Sequence, residues 1–407
     1  MEQLQANLRY LCDESRMLTG ITAAYGTATQ SESILYGRAQ EVRLTEDGAF
    51  VPCVRPLLPD ALYDLASLTK LFTCVMAMQL VESGRLSLEE TVGAIDSRFR
   101  NLHDVSVLDV LSFRASLRTP GRIDEAPDRE EGLARLFGAE RVEPPRIRLY
   151  SDINAMVMKY VIEQKTGMPF GNALRQFIFS PIGLTDTYAH VPQHMKDRCV
   201  CYSYEHRIAG DAFRRRTDPL PGQPHDPKAL LLSGDGQDLC GHAGLFSTRA
   251  DMIRFAQALL SGELLRPASL SAMGRNYTGI DYGDGTHRQY LGLLCFAKHP
   301  NQTLSEVPEW MTPGSFGVSG FTGNHLSIDP YAQHFVLFLG NRCHDRVSNI
   351  QLPEGRSYTD YGLAENGTGR VLWPDGRSIS SSARYVYFKD ERLNNPIARR
   401  MQSLGWA

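Results

Sequence analysis

The stretch Leu65-Ala66-Ser67-Leu68-Thr69-Lys70-Leu71-Phe72 sets a serine three residues ahead of a lysine at the start of an apolar segment. Residues three apart share one face of a helix, so Ser67 and Lys70 become neighbours if the helix begins at or just before the serine. Leu71, Phe72, Val75, Met76, Gln79 and Leu80 continue the helical period, and Gly84 stands where a left-handed stop would fall. A hydroxyl on the first turn of a buried helix, with an amine beside it, has the makings of an activated nucleophile. The amine can take a proton or lower the pKa of a neighbouring acid, and the helix end offers N–H donors to a developing oxyanion. The spacing alone is weak: Ser-x-x-Lys arises by chance about once in a chain of this length, and a capping serine beside a solvated lysine has the same letters.

Upstream, residues 2–15 are apolar at helical spacing, and Gly20 to Thr27 followed by Ser33 to Gly37 reads as two strands joined by a polar turn. Proline-rich residues 51–60 lead into the Ser67 helix. Downstream to about residue 190 the patterns are helical, with an arm at Val105 to Leu111, an irregular charged loop at Arg118 to Glu131 and an amphipathic helix at Ile153 to Gly167. Between about 196 and 240, Pro219, Pro221, Pro224 and Pro227 forbid regular helix, and Arg214-Arg215-Arg216 reads as a solvated loop. A helix follows from about Arg249 to Leu260, capped by Ser247 or Thr248. Strands are expected at Tyr290 to Phe296, Ser315 to Val318, Asn324 to Ile328 and His334 to Leu339, the last apolar enough for the middle of a sheet.

A 407-residue chain with 42% hydrophobic and 22% charged residues has the composition of a soluble globular protein with room for a sizeable core. The net charge of -3, with no dense Lys/Arg stripe, speaks against nucleic acid and anionic membrane surfaces as partners. The N-terminus does not read as a signal peptide and no run would span a bilayer, so a cytoplasmic location is expected. Eight cysteines are scattered without a Cys-x-x-Cys pair, which speaks against disulfides and structural zinc; Cys199-Val200-Cys201 reads as strand alternation.

The second informative cluster is Leu149-Tyr150-Ser151-Asp152-Ile153-Asn154, immediately ahead of a helix. A tyrosine serves as a general base only if its phenolate is stabilised, which a nearby ammonium does. With these two clusters in hand, the sequence resembles the serine beta-lactamase and penicillin-binding-protein superfamily, most closely its class C-like serine hydrolases (esterases, D-amino-acid peptidases and transacylating enzymes). Ala66-Ser67-Leu68-Thr69-Lys70 resembles the nucleophile motif, and Tyr150-Ser151-Asp152 the Tyr-x-Asn motif with an aspartate variant. His225-Asp226, Gly241 to Thr248, Gly320-Phe321-Thr322-Gly323 and Ile328-Asp329-Pro330 occur in the same order as similar segments of that branch, over roughly residues 15 to 345. For the third motif, Lys or His then Thr or Ser then Gly, two places compete. His242-Ala243-Gly244 matches the letters better but precedes a helix; Val318-Ser319-Gly320 lies on a strand that turns through Gly323 into another, the setting the family implies. The second is chosen, and His242 is read as a structural residue behind the site.

The resemblance implies an oxyanion hole formed by the backbone N–H groups of Ser67 and Phe321. It also exposes departures. Val318 replaces the Lys or His, removing a cation that would lower the Tyr150 pKa and attract a substrate carboxylate. Asp152 in place of Asn adds a negative charge that pairs with Lys70 and deters an anionic substrate. Hydrolysis of beta-lactams or D-Ala-D-Ala peptides is therefore less expected than attack on a neutral ester or amide. About fifty residues from Cys343 intervene before a helix at Leu393 to Leu404, where the family implies a helix directly after the last central strand. Within them Arg370 to Arg377 and Ala383 to Phe388 are expected to pair as a hairpin; cleft cover, subunit contact and surface elaboration stand as alternatives for the insert.

The expected fold is thus α/β and beta-lactamase-like: an antiparallel sheet flanked by helices, with an inserted all-helical subdomain. Residues 1–64 and 230–407 form the α/β part, with the insertion at about 345–390, and 65–229 the helical part. The expected function is that of a serine hydrolase or acyltransferase passing through a Ser67 acyl-enzyme on a small ester or amide. Ser67, Lys70 and Tyr150 are the catalytic candidates, with Asp152, Val318, Ser319 and Gly320 supporting. No cofactor or metal is expected, and a homo-oligomer is compatible with the sequence. Rival readings are an inactive binding or regulatory protein on the same fold, a beta-lactamase or D-Ala-D-Ala peptidase, and a metal hydrolase using some of the eleven histidines.

Overall fold

In the computed structural model, which describes residues 1–216, 218–234, 238–302 and 305–406, five of the expected strands assemble with two others into one seven-stranded antiparallel sheet, while Tyr290 to Phe296, expected as a strand, bends at 293–295 and enters the sheet only at Phe296. Its order is Phe296–Ala297, Phe316–Ser319, His325–Asp329, His334–Gly340, Gly20–Thr27, Ser31–Leu44 and Phe50–Pro56. His334–Gly340 is central and buried along its whole length, as its apolar run requires, and pairs with Gly20–Thr27 in the register Ala24↔Leu337. Alternation along it serves two cores. Val336 and Phe338 face Leu4, Leu8, Ile397 and Met401 of the terminal helices Glu2–Arg9 and Asn395–Ser403. Phe335, Leu337 and Leu339 face the larger core around Leu71, Phe72 and Phe255.

The helix Thr69–Glu82 is apolar on all sides and buried from Thr69 to Met78, which makes it the pillar between the sheet and the helical block. Phe72 stacks on Phe255 at 4.1 Å and meets Phe179 edge-on at 5.9 Å. Gly84 ends the helix in the left-handed region (φ 70°), as its position requires.

Three other local readings are corrected. Phe50–Pro56, read as a proline-rich lead, is a strand; it lies at the sheet edge, where Pro52 and Pro56 cost little because the missing N–H would face outward. The block at 65–229 is not purely helical, since it carries two short hairpins, Ser116–Arg118 with Glu140–Val142 and His206–Ala209 with Ala212–Arg215. The latter joins the C-terminal insert in a second, five-stranded sheet, where Arg346–Gln351 runs parallel to both His206–Ala209 and Ser378–Ser381. Within the insert the hairpin is Arg370–Leu372 with Ser378–Ser381, turning at Trp373 to Arg377, while Tyr385–Phe388 is a 3-10 turn. A separate small core of Ile208, Val347, Val371, Trp373 and Ile379 holds this sheet. Among the described residues no helix is long and apolar enough to cross a membrane.

Candidate active site

Ser67 lies on a 3-10 turn, Ala66–Leu68, that runs into the helix Thr69–Glu82. Ala66 just before it is held at φ 46°, a strained conformation for a residue with a side chain. Asp64 fixes the turn: its Oδ1 accepts from Ala66 N–H at 2.9 Å and its Oδ2 from His225 N–H at 2.6 Å. From the sheet side, Asn324 Nδ2 and Thr322 Oγ1 donate to the Asp64 carbonyl at 2.7 and 3.1 Å, and Asn324 Oδ1 accepts from Gly340 N–H at 2.9 Å. The nucleophile turn and the central sheet are thereby stapled through one buried asparagine.

Lys70, fully buried, donates to Ser67 Oγ at 2.9 Å and to Asp152 Oδ1 at 2.8 Å. Burial pulls the Lys70 ammonium down, but Asp152 and Tyr150 outweigh it and hold it above its ordinary value. Burial opposes the charge of Asp152 as well, yet Lys70, His242 and Lys228 hold its carboxyl well below the usual range. Tyr150 packs between Phe296 (4.7 Å, stacked) and Phe113 (5.3 Å), and Lys70 Nζ lies 4.8 Å from its ring centre. Its hydroxyl is buried and makes no hydrogen bond of ordinary geometry among the described residues, and burial, only partly offset by the neighbouring Lys70 and Ser67, raises the phenol above 10.0. The tyrosine precedes the helix Asp152–Thr166, capped by Ser151, and Leu149 and Tyr150 N–H both donate to Gln289 Oε1 at 2.8 and 3.0 Å.

Phe316–Ser319 and His325–Asp329 form the hairpin expected for the third motif, with Val318 opposite Leu326 and Ser319 opposite His325. Gly320 passes so close to the nucleophile turn that a Cβ there would lie 2.9 Å from the Leu65 carbonyl and 3.4 Å from Ala66 Cβ. Ser67 and Phe321 line the same cleft, and among the described residues no backbone carbonyl takes the Phe321 N–H. Ser67, Tyr150, Asp152, Ser319, Gly320 and Phe321 line one cleft of about 530 Å³, with Lys70 buried beneath it. Val318 does not join them: its side chain is fully buried in the core. A wider groove of about 670 Å³ elsewhere, beside Arg38 and Arg377, has these cations already paired with Asp13, Glu41 and Asp345.

The expectation that the cleft lacks a cation is overturned. Lys389, from the segment after the insert, puts Nζ 2.9 Å from Ser319 Oγ and 3.1 Å from Glu306 Oε2. Burial and Lys389 together hold the adjoining His325 well below its ordinary value, so it is neutral. Tyr385 and Val386 also line the cleft, so of the three alternatives for this region the cleft wall is the one observed. Arg216, read as part of a solvated loop, is instead paired with buried Glu205 at 3.0 Å. These residues were invisible to motif reading because they reach the site from remote, unpatterned segments.

His242 stands behind the site as read, its Nε2 2.9 Å from Asp226 Oδ1. Asp152, Asp226 and His242 offer metal-ligand atoms within 4.8 Å of one another. Lys228 Nζ, however, lies 3.1 Å from both carboxylates, and Lys70 holds Asp152 from the other side, so ammonium groups already neutralise the cluster.

A family model described as beta-lactamase matches residues 31–355. A Salmonella typhimurium protein named "Putative D-alanyl-D-alanine carboxypeptidase" is 26% identical over 326 residues, covering 71% of each chain. Among solved structures, Simvastatin Synthase (LovD) from Aspergillus terreus superposes with a TM-score of 0.61 at 19% identity, over 83% of this chain and 92% of that one. EstCE1, a hydrolase with promiscuous acyltransferase activity, gives 0.62 at 19% identity, over 84% and 93%. Beta-Lactamase/D-Alanine Carboxypeptidase from Pseudomonas syringae gives 0.60 at 20% identity, over 84% and 93%. The structural likenesses carry the fold, and the family match over most of the chain carries membership: this chain belongs to the beta-lactamase family of serine hydrolases.

Proposed function

We propose that the protein is an esterase, amidase or acyltransferase that works through an acyl-enzyme on Ser67. The observation that supports this most is Lys70 Nζ standing 2.9 Å from Ser67 Oγ and 2.8 Å from Asp152, beside the buried Tyr150, whose hydroxyl makes no other hydrogen bond among the described residues. Ser67 Oγ attacks the carbonyl carbon of a small ester or amide while the N–H groups of Ser67 and Phe321 hold the oxyanion, each such donor being worth about 3 kcal/mol of barrier. Lys70 remains an ammonium; Tyr150, as phenolate beside it, takes the Ser67 proton and returns it to the leaving group. Water or another acceptor gives its proton to the same tyrosine as it attacks the acyl carbon, and the tyrosine passes that proton to the departing Ser67 Oγ, releasing the acyl group and restoring both residues. The names of the relatives span carboxypeptidase, hydrolase and acyltransferase activities, reactions that an acyl-enzyme on Ser67 would accommodate with different donors and acceptors.

Intact-protein mass spectrometry after brief exposure to short nitrophenyl esters tests the reading. One acyl mass on the wild type and none on Ser67→Ala is expected. Turnover without any adduct, retained in Ser67→Ala, would contradict it.

A further inference from the structure

The ring of Phe321 is enclosed by positive charge. Arg207 Cζ and Arg342 Cζ each lie 5.0 Å from its centre, and His225 stacks on it at 5.7 Å. With Arg216 these residues line the Ser67 cleft. One ion-paired carboxylate answers the group: Glu205, 1% exposed, accepts from Arg207 Nε at 2.6 Å, Arg216 Nη1 at 3.0 Å and His225 Nε2 at 2.8 Å, and from Ser348 Oγ. Its oxygens have nothing left to offer Arg342. The nearby Asp64 binds only the backbone N–H of Ala66 and His225, and burial pushes it toward its neutral form.

Among the described residues Arg342 therefore has no carboxylate in ion-pair contact, and Glu205 acts on it only from a distance. Nη2 donates to the Ser348 carbonyl, while Nε is buried without a partner. Burial pulls this guanidinium below its ordinary value, which marks the cost of keeping its charge there. For His225 burial works against the charge too, but the Cys343 thiol and Glu205 raise it to about 10, so it is a cation at neutral pH. Elsewhere in the cleft Lys389 pairs with Glu306, Arg122 with Asp124, and Lys70 and Lys228 with Asp152 and Asp226, while Arg148 at the lining has no ion pair among the described residues. Arg207, Arg216, Arg342 and His225 against the single Glu205 leave an excess of positive charge around Phe321, the residue whose N–H the acyl-enzyme reading gives to the oxyanion. Guanidinium groups present forked donors suited to planar or tetrahedral oxyanions.

We propose that Arg342, with Arg207, Arg216 and His225, is the receptor for an anionic group, carboxylate or phosphate, carried by the ester or amide that Ser67 attacks. The proposal rests on the acyl-enzyme reading of the same cleft and names the substrate class. It also reverses the expectation, drawn from Val318, that the substrate is neutral.

The test separates binding from chemistry. Ser67→Ala protein is titrated calorimetrically with inorganic phosphate, glutarate and neutral glutaramide, then again with Arg342→Gln, Arg342→Lys or Arg207→Gln added. One site for at least one anion, none for glutaramide, weakening of about tenfold or more in both Gln variants and partial rescue by Lys are expected. Phosphate binding without glutarate would assign a phosphate substituent, and the reverse a carboxylate. Arg207 is partly exposed, so its variant reports even if Arg342→Gln fails to fold. No anion binding, or equal binding in all variants, overturns the proposal. Separately, the kcat/KM ratio of mono-4-nitrophenyl glutarate to 4-nitrophenyl butyrate is expected to exceed one in wild type and to collapse in Arg207→Gln. Anion binding with no Ser67 adduct from either ester would sink the acyl-enzyme reading and leave the receptor. Adducts with no anion preference and no anion binding would do the opposite.

Discussion

Lys70 meets Ser67 and Asp152 at once, and that arrangement decides which groups carry protons in the resting enzyme. Both Lys70 and Tyr150 sit above their ordinary values, so at neutral pH the ammonium is present and only a small fraction of Tyr150 is phenolate. The active fraction rises with pH until the phenol titrates. Thus kcat/KM on a nitrophenyl ester, corrected for spontaneous hydrolysis, is expected to climb about tenfold per pH unit from neutrality to beyond pH 9. A plateau already reached at pH 7 would remove Tyr150 as the base. Asp152→Asn takes away the carboxylate that holds Lys70 up, leaving Tyr150 alone against burial, so the ammonium falls. The variant's profile is then expected to move toward acid, with the lysine able to act as base, and an unshifted profile would show that Asp152 does not set the protonation of Lys70. His225 gives a stability signature. Its folded value is raised to about 10 against 6.5 unfolded, so its contribution is complete below 6.5 and is lost as pH rises from 6.5 toward 10. Urea midpoints measured across that range should fall in wild type with a steeper slope than in His225→Gln.

The hairpin and the nucleophile turn meet through one glycine and one asparagine. In Gly320→Ala the new methyl would press on backbone at Leu65 and move Phe321 N–H away from the oxyanion. Overpacking of this kind costs about 1–3 kcal/mol, and loss of one oxyanion donor lowers kcat by about a hundredfold or more. Denaturant midpoint and kcat should therefore fall together; unchanged kcat would dissociate Phe321 from catalysis. Asn324→Ala would leave Gly340 N–H unsatisfied in a buried place and the Asp64 carbonyl with Thr322 Oγ1 alone, a loss of about 1–3 kcal/mol readable in urea. Local contact explains what was legible at this scale. Ser67 and Lys70 are one helical turn apart, and Tyr150 sits beside a capped helix start, so period and cap signals expose them. The edge strand Phe50–Pro56 was hidden by its prolines. The hairpin of the insert was misassigned because the aromatic run at Tyr385 looks strand-like but coils to put Tyr385 and Lys389 at the cleft.

Across the whole molecule, the central sheet and its two helical layers follow from patterns spread over many residues, which is why the architecture could be read before the structure. The charge distribution of the cleft could not. Glu205 gathers Arg207 and Arg216 from its own strand neighbourhood, but Arg342 and Lys389 arrive from segments more than 130 residues away, and no sequence period links them. The second sheet closes that side of the cleft with a core of few apolar side chains, separate from the two larger cores. Local opening should follow that division: amides of Val347 and Ile379 are expected to exchange with solvent faster than those of Val336 and Leu337. Equal protection in native-state hydrogen exchange would mean that the insert folds as one unit with the central sheet.

The central claim is that Ser67 is acylated, and intact mass after brief mixing with nitrophenyl esters, a penicillin and a D-Ala-D-Ala peptide tests it most directly. The account predicts a single acyl mass on the wild type from at least the esters and none on Ser67→Ala. Absence of any adduct and of any turnover with every reagent, including the anionic nitrophenyl glutarate, would contradict it and favour a binding protein on this fold.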